Sequence, residues 1–586
     1  MILERNILQK EASKTGDQIL FEEFKIKAKE VKKAVRQDKK HGQQGDLGHS
    51  AGSRLAWKSA KNILGMRNTL SPTAIIDTDG TLTTNPTKLS NMFNAFFVEK
   101  IKKLRTKTNI SPKLLPVTRL KNWIDCRDNP LPEFILKPLT RYKLRKHIKQ
   151  MKGGRSAGVD TIDSFSLKIA APLLEDALEH LINLSIQSSR FSSRWKPQLI
   201  FPQYKKNDKN SLENYRPVSH LVEIGKLVER EVNDQVVAHF TAHGLFHRNH
   251  HGGIPHHSTD TALIQLHDMF LQAAKAKKLT AALLLDQSAA YDLLDHTILL
   301  DKLNVYKFDQ KTIDWFNSYL CDRSQLVQIE TKQSSQIRLG DYAAPQGSVL
   351  GGTLFVIYEN DFPAVRANGQ SVMFVDDDTD CVSNEDPTQL LQVIQGEANL
   401  SCDWLTDNRM CVAGQKSKLM IIGTKSLKQN RLQGQEVSIL VDGQEIKNTP
   451  SEKLLGVVIN ENMTWKEHLH GEQWRTNNNM GLISQLSQRV GLLRRISNIA
   501  SKQKLKMIAD GLFYSKLSYC LPLFVNIWGL ETYSDTEARF TCYTKEDNRK
   551  LQVLQNQVAR ILINKPLDRH MPTKDLLNLS GDLSIH

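Results

Sequence analysis

The stretch Ser371-Val-Met-Phe-Val-Asp-Asp-Asp378 is an apolar run of strand length that ends in consecutive acids. A second apolar run, Ala281-Ala-Leu-Leu-Leu-Asp286, also ends in an acid. Uncompensated carboxylates at the end of a buried strand are costly unless cations neutralise them. Two divalent ions about 3.5–4 Å apart, held by carboxylates from neighbouring strands, can carry out phosphoryl transfer. The two runs therefore predict a two-metal centre at Asp286, Asp376 and Asp377, although acids that merely end exposed strands would give the same pattern.

Apolar runs of strand length continue outward from these two and alternate with helical patterns until about residue 460. The clearest strands are Leu279–Leu285, Leu326–Glu330, Ser371–Val375, Leu419–Gly423 and Val437–Val441. The last strand is followed by Asp442-Gly443, which is typical of a two-residue hairpin turn. Helical patterns dominate from Phe134 to Arg190 and again after Trp465. This order of elements predicts an α+β architecture.

The first part of the chain contains three recognisable elements. Lysine-rich sequence from Glu11 to Lys40 predicts one solvated helix, and Gly42 to Gly52 is typical of a linker. A short hairpin is predicted to turn at Asp79-Gly80. A helix is expected next, with Asn85 as its cap and Pro86 at its first position. Its predicted apolar face consists of Leu89, Met92, Phe93, Phe96 and Phe97.

Bulk composition narrows the class of protein. A length of 586 residues exceeds what one hydrophobic core supports and predicts roughly three or four domains. The net charge of +16 favours a polyanionic partner. No apolar run has the length of a membrane span and no signal peptide opens the chain, so we expect nucleic acid rather than a membrane as partner, inside the cell, in cytoplasm and nucleus. Seven cysteines without a CxxC pair predict neither a disulfide framework nor a zinc knuckle.

A histidine-rich segment looks at first like a metal-binding tract. Its members are His247, His250, His251, His256 and His257. Apart from Asp260, no cysteine or carboxylate stands at ligand spacing within it. An exposed loop that leads into the next helix is therefore the favoured interpretation.

Three motifs around the acids resemble reverse transcriptases. Asp286-Gln-Ser-Ala-Ala-Tyr-Asp292 resembles motif A, and Phe374-Val-Asp-Asp377 resembles motif C, the aromatic-x-Asp-Asp turn. Between them, Ala344-Pro-Gln-Gly-Ser-Val-Leu-Gly351 is similar to motif B. Further phrases resemble the non-LTR (LINE-like) retrotransposon branch: Arg155–Asp160, Asn214–Ser219, Asp295–Leu303, Leu454–Val457 and Thr464-Trp465. The resemblance extends from about residue 57 to residue 565.

The resemblance implies an RNA-directed DNA polymerase with two Mg²⁺ ions, or Mn²⁺ in their place. Asp286 and Asp376 would contact the ions directly, with Asp377 as a supporting ligand. Asp378 and Asp380 stand where the family usually has uncharged residues, and we interpret them as non-ligands. The other partners implied are an RNA template, a DNA primer, deoxynucleoside triphosphates and target DNA.

The resemblance also implies residues that bind the incoming nucleotide. Tyr291 matches the steric gate that excludes a ribose 2′-hydroxyl, although an ordinary core aromatic is the alternative. Gln346 and Gly347 would let the backbone approach the nucleotide. The remaining matches are Arg216 and either Lys205 or Lys206 for the triphosphate, and Lys416 as a general acid toward pyrophosphate, with a solvated surface lysine as its alternative.

The fold implied is a right hand with fingers, a palm built on a split β-α-β core, and a helical thumb, extended by helices at both ends. We expect a basic helical and linker region at 1–130, a helical lead-in at 131–183, fingers and palm at 184–459, and thumb with a C-terminal module at 460–586. Relatives usually carry an N-terminal endonuclease, so a truncated reading frame is expected.

Several departures from the family pattern leave alternatives open. Gly252-Gly-Ile-Pro255 lacks an aromatic and an arginine of the family, Gln287 and Ala289 replace Leu and Lys, and Gly352 replaces Pro. A catalytically weakened, nucleic-acid-binding remnant is therefore the main alternative, and an RNA-templated RNA polymerase is another. A third reading is a phosphatase of the haloacid-dehalogenase type, because Asp77-Thr-Asp-Gly-Thr-Leu-Thr83 resembles its nucleophile motif.

Overall fold

The computed structural model describes residues 1–48, 53–63, 65, 71–77, 79–108, 111–127, 129–154, 156–471, 480–524, 545–563 and 572–580. Arg155, from one of the phrases quoted above, lies outside them. The chain divides into two compact units, a central unit of residues 69–464 and a second unit of residues 1–68 with 465–586.

The helices are α1 (Ile2–Thr15), α2 (Gln18–Gly48), α3 (Ser53–Ile63), α4 (Pro86–Thr108), α5 (Pro116–Asp125), α6 (Arg141–Gln150), α7 (Ser164–Gln187), α8 (Glu223–Ala242), α9 (Thr259–Lys275), α10 (Ala290–Leu293), α11 (His296–Val305), α12 (Gln310–Leu320), α13 (Leu350–Glu359), α14 (Pro387–Asp407), α15 (Lys425–Leu432), α16 (Lys466–His470), α17 (Leu482–Ser497), α18 (Lys502–Ala509), α19 (Ser515–Leu517), α20 (Leu521–Phe524), α21 (Lys545–Ile563) and α22 (Thr573–Ser580).

The strands are β1 (Ile75–Ile76), β2 (Leu82–Thr83), β3 (Gln198–Tyr204), β4 (Tyr215–His220), β5 (Leu279–Leu285), β6 (Ser324–Ile329), β7 (Lys332–Gln333), β8 (Ile337–Arg338), β9 (Gln370–Phe374), β10 (Asp377–Asn384), β11 (Lys418–Ile422), β12 (Ser438–Val441), β13 (Gln444–Lys447), β14 (Ser451–Leu454) and β15 (Val457–Asn460). Every strand predicted from an apolar run is present, and the α+β class is confirmed.

The main sheet of the central unit has four strands in the order β11-β5-β10-β9. All neighbours pair antiparallel, and β10 lies between β5 and β9. The chain reaches β9 from β5 through α10 to α13, and reaches β11 from β10 through α14. This is the order of a split β-α-β core. Strand β5 is apolar except at Thr280, because it is buried inside this sheet.

A second sheet of the central unit has the order β4-β3-β6-β7, with β8 also paired to β6. Helix α4 packs beneath it, because Phe93 and Phe97 are buried in one cluster with Tyr215 and Val327. The cap predicted for α4 is confirmed, since Asn85 Oδ1 accepts the backbone N–H of Thr87 at 2.9 Å. Residues 69–130, which we grouped with the N-terminal region, thus pack in the central unit.

The hairpin predicted at Asp79-Gly80 is confirmed. Strands β1 and β2 pair antiparallel, and Gly80 has a φ of 82°. Asp77 forms an ion pair with Lys88, with 2.9 Å between Oδ2 and Nζ. A phosphatase of the haloacid-dehalogenase type needs a parallel α/β sheet around this motif, so the hairpin speaks against that reading.

The prediction of one helix from Glu11 to Lys40 is wrong. Helix α1 ends at Thr15 and is capped by Gly16, whose φ of 68° is left-handed. Helix α2 then begins at Gln18. Glycine ends helices in this way because it adopts a positive φ without steric cost. Lys27 of α2 pairs with Glu4 of α1 at 3.0 Å. Helix α2 continues to Gly48, so the predicted linker is helical over 42–48, and residues 49–52 lie outside the described residues.

The C-terminal part of the second unit is helical. Helix α21 packs against α17 and α22. Its buried apolar residues include Leu551, Leu554, Val558, Ala559 and Leu562. Within the described ranges, no helix has the length and apolar character to cross a membrane.

Candidate active site

The turn between β9 and β10 carries two of the predicted metal ligands. Phe374 pairs with Asp377, so Val375 and Asp376 form the two-residue turn. Val375 has a φ of 60°, which is unfavourable for a β-branched residue. A Cβ at Gly252 would lie 2.4 Å from the backbone N of Val375, so the chain at Gly252 packs directly against the turn. A strained turn fixed by its neighbours is typical of a functional site.

The third predicted ligand lies beside this turn. Leu285, the last residue of β5, pairs with Asp378 of β10, which brings Asp286 next to the tip of the hairpin. The backbone of Asp286 is fixed from the β11 side, since its N–H donates to Ser417 Oγ at 3.1 Å. Its carbonyl oxygen accepts the N–H of Ala413 at 2.8 Å. The fold therefore brings all three acids to one end of the main sheet.

Burial and neighbouring carboxylates raise the pKa of Asp376 and of Asp377. Partial burial, with the charges of Asp376 and Asp286, raises the pKa of Asp377 to about 6. Partial burial and the charge of Asp286 also raise the pKa of Asp376. Lys416 Nζ lies 3.3 Å from Asp286 Oδ1, and both side chains are exposed. Because one exposed lysine cannot neutralise three carboxylates, the cluster of acids stays negatively charged. The carboxylate oxygens of the cluster suit Mg²⁺.

The three acids are not among the described groups whose ligand atoms all lie within 4.8 Å of one another. The donor set, the shared sheet end and the raised pKa values of Asp376 and Asp377 together fit divalent cations.

Asp378 and Asp380 are buried and bonded to a cation of the protein. Arg366 Nη2 lies 2.5 Å from Asp378 Oδ2, and Arg366 Nε lies 2.5 Å from Asp380 Oδ1. Ser401 Oγ donates to the other oxygen of Asp380 at 3.0 Å. The guanidinium also stacks over the Phe362 ring. Because a buried arginine already occupies these carboxylates, the geometry supports our interpretation of both acids as non-ligands.

Tyr291 lies half-buried between the acids and the motif B loop. Its ring stacks on Phe355, with 4.5 Å between centroids and 18° between planes. Its carbonyl oxygen accepts the N–H of Ala344 at 2.9 Å. Burial and the nearby charge of Asp376 raise its pKa to about 12. The ring is thus fixed close to the acids.

The loop from Pro345 to Ser348 approaches other parts of the protein closely. Gln346 Nε2 donates to Asp292 Oδ1 at 2.8 Å. Gly347 has a φ of 79°, and a Cβ there would lie 2.9 Å from the carbonyl oxygen of Ser219. The backbone of β4 therefore requires glycine at 347. Gln346, Asp292 and Ser219 also line a cavity of about 100 Å³.

The predicted triphosphate ligands lie on the β3–β4 hairpin. Arg216 of β4 is exposed and pairs across the hairpin with Gln203 of β3. Lys205 follows β3, and its N–H donates to Asn214 at 2.8 Å. Partial burial and the charges of Arg216 and Lys416 lower the pKa of Lys205, and Asp286 opposes them. Lys205 therefore shares the electrostatic environment of Asp286.

The histidine-rich segment packs inside the central unit, so the exposed loop that we expected there is wrong for two of its members. His250 is fully buried, and His251 is 5% exposed. His251 bonds through both ring nitrogens, to Thr261 at 2.9 Å and to Gln265 at 2.8 Å. The backbone N–H of His251 donates to Met373 of β9 at 2.7 Å, so the segment supports the hairpin of the acids.

The sequence patterns did not predict two residues that support the site. Arg366 was not predicted, although the unusual acids at Asp378 and Asp380 signal that a buried cation must exist. Glu229 Oε2 accepts the N–H of Val349 at 2.6 Å and so holds the residue before α13. No local pattern relates Glu229 to Val349, because α8 and α13 meet only in the folded chain.

Comparisons with known proteins agree with this geometry. Residues 204–459 match the family described as Reverse transcriptase (RNA-dependent DNA polymerase). The chain is 24% identical over 473 residues to the Drosophila melanogaster protein named Probable RNA-directed DNA polymerase from transposon BS, covering 79% of this chain and 48% of that protein. These matches confirm the resemblance to the reverse transcriptases of non-LTR retrotransposons.

Two further Drosophila melanogaster relatives are similar to the chain. The Probable RNA-directed DNA polymerase from transposon X-element is 22% identical over 519 residues, which are 88% of this chain and 52% of that protein. The RNA-directed DNA polymerase from mobile element jockey is 21% identical over 450 residues, 75% of this chain and 45% of that protein. The chain therefore spans about half the length of the curated relatives it matches.

Proposed function

We propose that this chain, which carries a reverse transcriptase domain over residues 204–459, acts as the RNA-directed DNA polymerase of a non-LTR retrotransposon. It would add deoxynucleotides to a primer 3′-hydroxyl on an RNA template. The observation that carries the proposal is the convergence of Asp286, Asp376 and Asp377 at one end of a split β-α-β sheet, where the exposed Lys416 is paired to Asp286.

Asp286 and Asp376 are our candidates for direct contact with two Mg²⁺ ions, and Asp377 is a supporting ligand; Mn²⁺ is the alternative metal. Such ions, when bound, activate the 3′-hydroxyl and stabilise the leaving pyrophosphate. The protein's own task is to hold the carboxylates in place. The strained residue Val375 and the backbone of Gly252 would fix the turn between β9 and β10.

The incoming nucleotide would lie between the acids and the β3–β4 hairpin. Arg216 and Lys205 would bind the triphosphate, because the forked guanidinium and the ammonium both match phosphate oxygens. Tyr291, held against Phe355, would exclude a 2′-hydroxyl. The backbone at Gln346 and Gly347 would contact the base pair. Lys416 would protonate the leaving pyrophosphate.

In the proposed right-hand layout, fingers and palm span 184–459 after a helical lead-in at 131–183, and the thumb with a helical module spans 460–586. The net charge of +16 suits an RNA template, a DNA primer and target DNA. We expect the reaction to take place in cytoplasm and nucleus, where these nucleic acids occur.

Primer extension in Mg²⁺ with deoxynucleotides against ribonucleotides tests the proposal. The wild type should extend a DNA primer on RNA and prefer deoxynucleotides. Asp376→Asn should abolish extension and leave template binding unchanged, while Asp314→Asn, an exposed acid on α12, should extend normally. Full extension by Asp376→Asn would exclude the two-metal assignment. No extension by the folded wild type would favour the nucleic-acid-binding remnant, and a preference for ribonucleotides would favour an RNA polymerase.

Template binding has its own expected signature. Phosphate contacts should dominate, so the affinity should fall steeply as salt rises. An affinity that is equal at low and high salt would contradict a nucleic-acid partner bound through its backbone.

A further inference from the structure

Three potential metal ligands meet in the central unit at a place that the proposed reaction does not use. They are His296 at the start of α11, Cys321 directly after α12, and Asp341, which follows β8. One ligand atom from each, a ring nitrogen, the thiol sulfur and a carboxylate oxygen, all lie within 4.8 Å of one another. Within the described ranges, this is the single group of three or more such side chains at that spacing.

His296 has one ring nitrogen whose lone pair is available to a metal ion. His296 is 3% exposed, and its Nε2 lies 3.0 Å from the carbonyl oxygen of Ala343. A carbonyl only accepts, so Nε2 carries the hydrogen and Nδ1 carries the lone pair. Nδ1 is buried and has no hydrogen-bond partner among the described residues, which is costly for a polar atom. Metal-binding histidines commonly donate their second N–H to a carbonyl in this way.

The other two side chains complete a mixed donor set. Cys321 is half-buried, and its thiol lies 3.1 Å from Asn317 Oδ1. Burial raises the pKa of this thiol, so a bound cation would be needed to ionise it. Asp341 is exposed and leaves one side open to water. Imidazole, thiolate and carboxylate together suit Zn²⁺, whereas Mg²⁺ prefers oxygen ligands alone.

We propose that His296, Cys321 and Asp341 bind one divalent ion of the zinc class, with water as the fourth ligand, at a site separate from the catalytic acids. The ion would join α11, α12 and the segment that leads into the motif B loop. That segment already contacts the start of α11, since the backbone N–H of His296 donates to the carbonyl oxygen of Asp341 at 3.3 Å. Binding would fix Asp341 a few residues before Gln346.

Metal titration of the whole chain tests this site without any activity assay. Co²⁺ should give thiolate-to-metal charge-transfer absorption in the metal-free wild type and in Cys126→Ser, which removes an exposed cysteine elsewhere. Cys321→Ser should lose the absorption and bind Zn²⁺ at least about tenfold more weakly, since changing even a group that hydrogen-bonds to a metal ligand costs about 10–100-fold in affinity. Asp341→Asn, an exposed change that folding should tolerate, should weaken Zn²⁺ binding as well.

A thermal measurement separates binding from folding defects. Zn²⁺ should raise the melting temperature of the wild type and of Cys126→Ser but not of Cys321→Ser, and excess Mg²⁺ should not displace it. Equal Zn²⁺ affinity in Cys321→Ser and Cys126→Ser, or no charge-transfer absorption in the wild type, would overturn the proposal. Neither outcome depends on whether the chain polymerises DNA.

Discussion

The turn before β10 and the strand itself carry four acids, which fall into two pairs with opposite surroundings. The side chains of Asp376 and Asp377 reach solvent at the tip, although the surrounding protein buries them enough to raise the pKa of both. Asp378 and Asp380 are buried and bonded to Arg366. An unpaired buried carboxylate would cost several kcal/mol, so the protein supplies an arginine to the buried pair. The exposed pair keeps a negative charge that ions from solution can neutralise.

The origin of the countercharge therefore distinguishes acids that are nearly adjacent in sequence. Where the countercharge belongs to the protein, the acid stabilises the fold. Where it must come from solution, the acid is a candidate metal ligand. Substitutions on either side of this comparison test the distinction between the two pairs of acids.

The largest expected effect is on catalysis at the exposed side. Asp286→Asn should slow primer extension by ~10³-fold or more, because a lost metal ligand removes several kcal/mol of transition-state stabilisation. Asp378→Asn should stay within about tenfold of the wild type, a barrier change below ~1.4 kcal/mol. Single-turnover extension at saturating nucleotide measures both. If folded Asp378→Asn were as inactive as Asp286→Asn, the distinction between the two pairs would fail.

The second effect is on stability at the buried side. Arg366→Met should lower the free energy of unfolding of the central unit by about 3–5 kcal/mol, because it leaves two buried acids without a cation. Adding Asp378→Asn and Asp380→Asn to Arg366→Met should restore most of this loss. Urea denaturation followed by tryptophan fluorescence measures the change. A triple variant no more stable than Arg366→Met would show that charge balance is not the role of Arg366.

A smaller effect is expected when Mg²⁺ is added without substrate. At about 100 times its dissociation constant, the ion should stabilise the wild type by about 2.7 kcal/mol, since it binds the folded state. Asp376→Asn should lose most of this gain, and Asp378→Asn should keep it. Thermal unfolding with and without Mg²⁺ provides the measurement. Equal gains in Asp376→Asn and the wild type would place the ion elsewhere.

The smallest effect concerns Lys416. Its ion pair with Asp286 is exposed on both sides, so Lys416→Met should change stability by less than ~1 kcal/mol in the absence of metal. Mg²⁺ should then bind a few-fold more tightly, because a competing cation has been removed. Lys447→Met, which removes an equally exposed lysine paired with Glu436, is the matched control. Weaker Mg²⁺ binding in Lys416→Met, measured by calorimetry, would contradict this competition.

The local sequence was sufficient to predict those helices and strands whose formation depends on neighbouring residues alone. The apolar run at Leu279–Leu285 is β5, with the same bounds, because a central strand needs little besides apolar side chains. Helix α4 begins at Pro86 after the cap Asn85, as predicted. The break at Gly16 was also local in cause, but the lysine-rich pattern on both sides concealed it.

Contacts between segments that are distant in the chain could not be predicted from the sequence. Arg366 finds Asp378 and Asp380 only because its loop folds onto β10. His250 and His251 look exposed in a polar string of residues, yet pairing with β9 buries them. Position in the chain identified the candidate ligands, and only the folded sheet could reveal what neutralises each of them.

The contact between Gly252 and Val375 has a consequence for laboratory evolution of the chain. A side chain at 252 has no room, because its Cβ would meet the backbone of the turn at 2.4 Å. A mutant library that varies position 252 would therefore select on the shape of the Asp376 turn, far along the chain. Screens for altered fidelity or template preference should keep Gly252 fixed and vary its flanks. Hits at 252 itself would report on the geometry of the Asp376 turn.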